Sequence, residues 1–579
     1  MSQCNYHFKN GTQCDQSAVK ESIYCLFHDP DAWKTHAKEI IEKIKDKMQI
    51  RDYNFEGYHF PETDIFVGHS PTSEVNFKNA HFHAPISFSK ANFHNSSTRG
   101  LFSGANFYEH ADFTESTFQN AFFNDTQFTT ANFSRFAVTG LANFSHAQFS
   151  GRVYFGLARL GITDFSEVTF SDVFFNQTRF NGRADFGNAK FQSADFTGAK
   201  FLESRFYHSN FSGRADFNNA KFGNVFFEHV TFKEANFFDA FFEGLATFFH
   251  SSFVKGNFMY ARFNSDTIFI RTQFSEAFFN EAHFLRKVDF QNAQISHAKF
   301  IKTIFDDIVN FDYTHKIGED IIQKTYWQGD FSSSIFKGTT TFKDAYLDPC
   351  FESTIMPSSN LRDVKWPPAS VGFIGKEKKK IDLERKADEM ENDIQKMRQY
   401  SKAISTYFFL RTRLRAEGDF IDESDFFYRE RLTQRKLLNT RRRIQFKKLT
   451  DGQKEEVIGL SGGLGREYIL EWIWLWIAGW TCGFGERILL IVRTFAFTLS
   501  FFALIFLIDM SSCPQTILKC LPDALYVSVG ALSNMGVDVN DLGYPLSMCG
   551  KWFVQIEALT GIILTSLFLV VFVRKMSRQ

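Results

Sequence analysis

Three cysteines and a histidine near the N-terminus form the pattern C-x9-C-x10-C-x2-H, running from Cys4 through Cys14 and Cys25 to His28. Three thiolates and one imidazole suit a closed, tetrahedral, structural Zn2+ site. The end of the pattern, Tyr24-Cys25-Leu26-Phe27-His28, is its specific half, because two intervening residues let both ligands reach one ion from a tight turn. The wider gaps are less specific. His7 is an alternative ligand, and a set of reduced, buried cysteines is the alternative to a metal. No open coordination position or catalytic Glu accompanies the set. No nucleophile–base pair, phosphate loop or paired-carboxylate motif stands out elsewhere, so an enzyme is not expected.

A second chemistry lies near the other end. Pro522–Asp538 is too short and too interrupted to cross a bilayer, but it separates two stretches long and apolar enough to do so, Ile488–Met510 and Trp552–Val573. An amphipathic half-helix ending in a Gly-containing loop is tolerated at membrane depth only where it lines water, so the segment reads as a re-entrant pore element. Glu557, inside the second stretch, is costly unless paired or facing water. A hydrogen-bonding brace behind the loop is its favoured role; a cation-attracting site is the alternative. Arg487 precedes the first stretch, and Arg574, Lys575 and Arg578 follow the second, which places both termini in the cytosol. An integral membrane protein, of the cell membrane, is expected. No apolar leader follows Met1, so the N-terminal cysteines are expected to stay in a reducing compartment. Cys513, Cys520 and Cys549 fall on the outer side, where one disulfide can form, with its pairing unreadable from sequence.

The elements between these ends are dominated by one residue. The 579-residue chain holds 75 Phe against 17 Tyr and 8 Trp, so a repeated structural rule must demand it. From Phe77 to Phe311 an aromatic recurs every five residues, with occasional steps of six, and Ala184, Ala189, Ala194 and Ala199 precede Phe186, Phe191, Phe196 and Phe201 by two places. A period of five fits neither helix nor plain strand. It fits a coil with four sides of about five residues, each sending one large and one small residue inward, with coils stacked at ~4.8 Å. The expected fold is a right-handed quadrilateral β-helix. Glycines in the six-residue steps, Gly182, Gly213 and Gly244, are expected to supply positive φ at an inserted corner.

This array resembles pentapeptide-repeat proteins. Some soluble members mimic DNA, but that use needs an acidic surface, and outward positions here mix Lys190, Lys200, Arg205 and Lys221 with Asp185, Asp195 and Glu203. With 65 basic residues balancing 65 acidic ones, nucleic acid is not an expected partner. Taken alone, the array is a rigid spacer or docking rod.

The expected organisation is a cap over residues 1–45, a β-helix over 50–311 with an irregular extension over 312–370, and a charged helical linker over 376–450. An interfacial Trp-rich helix over 462–486 and a pore domain over 487–579 complete it. In the linker, Tyr400–Arg435 resembles a tetratricopeptide-like hairpin turning at Gly418. The cluster Arg441–Arg443 suits anionic headgroups, with a solvated face as the alternative.

The C-terminal part resembles the two-transmembrane, pore-loop modules of the potassium-channel superfamily. Ala524-Leu525-Tyr526-Val527-Ser528 matches their pore helix, and Glu557–Gly561 with Leu567–Val571 looks like their inner helix. Gly483–Arg487 also resembles the boundary before the first span in pentapeptide-repeat channels. The resemblance implies a homotetramer passing monovalent cations, with a filter of Ser533, Asn534, Met535, Gly536, Val537 and Asp538 and an inner-helix hinge at Gly561. The filter departs from the Thr-x-Gly-x-Gly pattern: Asn534 replaces Thr, and Asp538 stands where the second Gly belongs, so weak selectivity is expected. A non-conducting, membrane-anchored scaffold is the alternative reading.

Overall fold

In a computed structural model the chain divides into two compact units: Met1–Pro349 with Ser353–Trp366, and Cys350–Glu352 with Pro367–Gln579. The structure describes residues 2–71, 73–94, 99–317, 326–367, 379–451, 466–485, 488–509, 520–535 and 546–576.

The first unit opens with an irregular segment and two helices, α1 (Ala32–Thr35) and α2 (Ala37–Gln49), the latter burying Ile40 and Ile44 one turn apart. A β-solenoid of about fourteen turns follows, in which described strands pair in parallel with the strand one coil on. Through the regular stretch the register offset is mostly 20 or 21 residues, as in Phe191 with Phe211 and Phe201 with Phe222, and it widens to 25 at His81 with Asn106 and to 31 at Ile304 with Ile335. Inward Phe side chains therefore stack on their counterparts in the next coil. Phe175–Phe196–Phe217–Phe237 stack at 4.8–4.9 Å between ring centroids, and Phe180–Phe201–Phe222–Phe242 at 4.6–5.1 Å. Ala199, Ala220, Ala240 and Ala261 fill the neighbouring inward column. Where Thr or Ser replaces Ala there, its hydroxyl donates to a carbonyl: Thr178 to Phe155 at 2.6 Å, Thr272 to Phe248 at 2.8 Å. At these two positions the buried hydroxyl is thus paired, whereas the inward Ser204 hydroxyl has no partner among the described residues.

Each coil has two tight corners, in which the residue two places after an inward Phe adopts left-handed φ: Asn188 (55°), His208 (57°), Asn219 (55°) and His229 (56°). Most of these residues are not glycine, and a left-handed non-Gly residue persists only where its surroundings over-determine it. The residue before the Phe supplies part of that determination. The Asp195 carboxylate accepts from the Thr197 N–H at 2.8 Å, and Asp185 and Asp216 do the same for Gly187 and Asn218 at 3.0 and 3.1 Å.

Gly182, Gly213 and Gly244 do not take positive φ. Instead a Cβ at Gly213 would lie 2.0 Å from the Gln192 carbonyl oxygen, at Gly182 2.9 Å from the Ile162 nitrogen, and at Gly244 2.9 Å from the Gly223 carbonyl carbon. These glycines answer a close approach between coils, not a strained corner. The expected irregularity after Phe311 is also milder than its sequence: Phe300 stacks on Phe331 and Phe311 on Phe342, each at 5.0 Å. The columns resume beyond residues 318–325, which lie outside the described residues, and strand pairing extends to Ser359–Asn360.

In the second unit, α3 (Asp382–Glu389), α4 (Asp393–Ala416) and α5 (Phe420–Asp451) form the linker. Asn392 caps α4, accepting from the Ile394 and Gln395 N–H groups at 3.0 and 3.1 Å, and Gly418, at φ 79°, turns α4 into α5. The hairpin does not stand alone, because α3 packs Ala387 against Tyr400 and Leu437. A buried Glu384 there accepts from the Tyr407 hydroxyl at 2.7 Å and Lys436 at 2.8 Å. Next come α6 (Arg466–Thr481), a 3-10 turn (Gly483–Gly485), α7 (Ile488–Asp509), α8 (Leu521–Ser533) and α9 (Met548–Met576). Of these, α7 and α9 are long and apolar enough to cross a membrane.

Candidate metal centre and membrane module

The cap is built from short antiparallel bridges, Gln3 with Ser17 and His7 with Gln13, around a turn at Gly11. They bring Cys4 and Cys14 together, and a tight turn, closed by the His28 N–H on the Cys25 carbonyl at 3.1 Å, adds Cys25 and His28. All four side chains are buried, and their ligand atoms lie within 4.8 Å of one another. The His28 Nδ1 is 3.2 Å from the Cys25 Sγ and 3.6 Å from the Cys4 Sγ, and the Cys14 and Cys25 sulfurs are 4.0 Å apart. Tetrahedral bonds of about 2.3 Å to sulfur and 2.0–2.1 Å to nitrogen put ligand atoms about 3.5–3.8 Å apart, so the donors fit one such ion.

The surroundings fit as well. The His28 Nε2 meets the Glu56 carbonyl at 3.0 Å, which leaves Nδ1 as the ligating nitrogen, and the Cys25 N–H donates to the Cys4 sulfur at 3.1 Å. Tyr6 stacks on the His28 ring at 3.9 Å. Burial pushes the Cys25 thiol up to about 12 and the Cys14 thiol upward, so thiolates persist in this pocket only against a cation. The cluster can hold a metal ion such as zinc. His7, the alternative ligand, is exposed and lies outside it.

At the other end, α8 is inserted between α7 and α9. Phe502 and Phe506 of α7, Ala524, Val527 and Ala531 of α8, and Val554 of α9 form one apolar cluster. Pro522 opens α8, where a missing N–H costs nothing, and Asn534 ends it in a left-handed C-cap at φ 59°. The end of α8 lies directly on α9: a Cβ at Gly561 would be 2.0 Å from the Leu532 carbonyl oxygen, and α9 runs unbroken through Gly561. Glu557 is fully buried. One of its oxygens bonds the Ser528 hydroxyl, which also lies 3.0 Å from the Leu499 carbonyl oxygen, so a single contact point joins all three helices. Among the described residues the other Glu557 oxygen has no partner. Ser533 and Met535 are exposed beside Asn534, while Gly536, Val537 and Asp538 lie outside the described residues. Cys520 is disulfide-bonded and Cys549 carries a free, exposed thiol; Cys513 is outside the described residues.

Two family profiles match the first unit. Residues 160–200 and 196–240 match one described as pentapeptide repeats (9 copies), and residues 267–307 match one described as pentapeptide repeats (8 copies). The rod is a pentapeptide-repeat β-solenoid. No curated protein matches the chain. The matched residues lie within the stretch where the Phe columns are most regular, and the pentapeptide-repeat geometry extends beyond them on both sides.

Beside α7, α6 exposes Leu470, Ile473, Trp474, Trp476, Ile477 and Trp480, a composition that suits a lipid–water boundary. It is fastened to α7 by Arg493, which donates to the Trp480 carbonyl at 2.8 Å and lies over its ring. Trp472 instead turns to the linker, donating to Asn439 beneath the Arg442 guanidinium. Of the Arg441–Arg443 cluster, Arg442 therefore stacks on Trp472 and Arg443 reaches Asp393 at 3.8 Å. Sequence reasoning missed Ser528 as the partner of Glu557, Leu499 as the second partner of Ser528, and Glu56 as the orienter of His28. No spacing rule links residues 29 or 28 positions apart on different elements.

Proposed function

We propose that the chain is one subunit of a homotetrameric cation channel, anchored by α7 and α9, with the pentapeptide-repeat rod and the termini in the cytosol. The observation that carries this reading is α8. A two-helix anchor has no use for a third helix of half their length, packed against both spans and ending in a left-handed Asn534. In the channel reading α8 is the pore helix, Ser533–Asp538 the filter, Glu557 its brace, and Gly561 the close-packed point on the inner helix. Asp538 places a ring of carboxylates at the outer mouth of a tetramer, which favours cations, while the lost second glycine weakens discrimination between K+ and Na+. The bound ion in the cap is Zn2+, held by Cys4, Cys14, Cys25 and His28 in a structural role, and Arg441–Arg443 lies near anionic headgroups.

The departure of Asn534 and Asp538 from the potassium pattern favours a second reading, a non-conducting membrane-anchored scaffold. Flux from purified protein in liposomes under K+, Na+ and Ca2+ gradients separates the two. The channel reading expects cation current with weak K+ preference, reduced conductance or cation preference in Asp538→Asn, and a shift toward K+ in Asp538→Gly. Incorporated protein without flux leaves the scaffold.

A further inference from the structure

One column on the rod carries charges of a single sign. Residues 20 or 21 apart in sequence stand one above another, so a mixture along the chain can be pure down a column. On one wall the columns alternate in sign: Arg152 lies 3.9 Å from Asp172, and Glu234 3.7 Å from Lys255, each pair in adjacent coils. Another wall differs. There the register places Arg159 beside Arg179, Arg179 beside Lys200 and Lys200 beside Lys221, with Arg262 following one coil beyond Phe241. All five basic side chains are exposed, and among the described residues none of them forms an ion pair. Four like charges thus stand in a row about 14 Å long at steps of ~4.8 Å. Like charges placed directly opposite on adjacent strands are destabilising, and among the described residues no ion pair relieves these. Two places on along the strands stand Gly161, Asn181, Leu202 and Gly223, and Glu203, the residue after Leu202, is engaged by Arg205 at 2.8 Å. Large exposed side chains close to the run from Arg159 to Lys221 are aliphatic, Leu157, Ile162 and Leu202 being 46, 52 and 64% exposed, while the aromatic Tyr260 stands two places before Arg262.

We propose that this column is a membrane-binding surface, which seats the rod on the anionic headgroups of the bilayer that holds α7 and α9. The inference rests on reading those two helices as membrane spans, and it is independent of conduction. Cations with exposed aliphatic side chains on a straight wall suit headgroup contact with shallow insertion. A single-stranded nucleic acid would call for aromatic platforms between the cations, and the row from Arg159 to Lys221 has none. The spans tether the rod, so the headgroups are present at high effective concentration and a modest attraction suffices.

The test uses the full chain in nanodiscs of zwitterionic lipid, with and without phosphatidylserine. Acetylation of exposed amines is read by mass spectrometry at Lys200 and Lys221, with Lys190 and Lys233, on the other wall, as references. Phosphatidylserine should slow labelling several-fold at Lys200 and Lys221 only, and high salt should restore it. The double variant Arg159→Gln/Arg179→Gln should lose most of that protection while the reference lysines stay unchanged, which also reports an intact rod. Equal labelling in both discs overturns the proposal. Protection of the same lysines by an oligonucleotide or poly-glutamate in zwitterionic discs, without an effect of phosphatidylserine, overturns it in favour of a soluble polyanion. A chain that does not enter the discs defeats the membrane reading and this one together; a chain that enters without protection defeats only this one.

Discussion

At the scale of single residues, the chemistry of the cap rests on contacts that pre-shape its ligands. Because His28 is oriented by the Glu56 carbonyl and Cys4 by the Cys25 N–H, the four donors should hold one zinc per chain, measured by metal analysis of purified protein. Cys25→Ser should remove the metal and loosen the first coils, seen as faster hydrogen exchange around Phe55; full metal content in that variant would break the assignment. Three histidines on the neighbouring coils give a second expectation. His59 Nδ1 lies 2.8 Å from His83 Nε2, His81 stacks on His59 at 4.5 Å, and Trp33 stacks on His83 at 4.5 Å. Burial, reinforced by the neighbouring histidines, lowers His59 to about 3; burial, His81 and Lys34 lower His83 to about 4, with Asp31 opposing. The folded state then keeps these rings neutral while the unfolded chain takes up protons below its ordinary value near 6.5. The contribution to stability is complete above about pH 6.5 and is lost as pH falls toward 4 and 3. Protection factors in the first coils, which remove the intrinsic slowing of amide exchange in acid, should fall from pH 7 to 5, less steeply in His83→Gln; an identical slope in that variant would refute the assignment.

At the scale of elements, the rod is held by columns, so a single large-to-small change should be felt along a stack. Phe196→Ala and Phe222→Ala should each cost about 3–5 kcal/mol in thermal or denaturant unfolding, since both rings are buried between stacked neighbours. Gly213→Ala should cost about 1–3 kcal/mol by forcing two coils apart at the Gln192 carbonyl. An effect near zero there would mean that the coils can separate freely. How much was legible follows from the same geometry. The five-residue Phe period named the coil and its inward positions, because each Phe is repeated by the next coil at a constant offset. The corners were not legible, because left-handed positions are held by His208, Leu157 or Arg135, whose side chains give no turn signal. The role of Gly213 was misjudged because a glycine demanded by a neighbouring carbonyl looks, in one dimension, like a glycine demanded by its own φ. In the C-terminal helical module the lengths of α7 and α9 and the short helix between them were legible from apolar run lengths. The Ser528 bond to Glu557 was not, since it depends on how two helices rotate about their axes.

At the scale of the whole molecule, each coil of the rod touches chiefly the coil before and the coil after, and all four Phe columns keep their register only over complete coils. The offset of 20 or 21 residues therefore acts as a quantum of length. Excising residues 206–226, one coil from Phe206 up to Phe227, should leave a folded rod about 4.8 Å shorter, with both ends intact. Excising five residues from the same region should shift every later side by one face and leave an unfolded or aggregated product, distinguished by circular dichroism and gel filtration. Two products of equal stability would show that coils are not the unit of cooperation. Lineages that lengthen or shorten such a protein are thereby confined to steps of about one coil. The length of the rod can change in evolution only as a staircase, while the sequence of any one tread drifts freely at its outward positions.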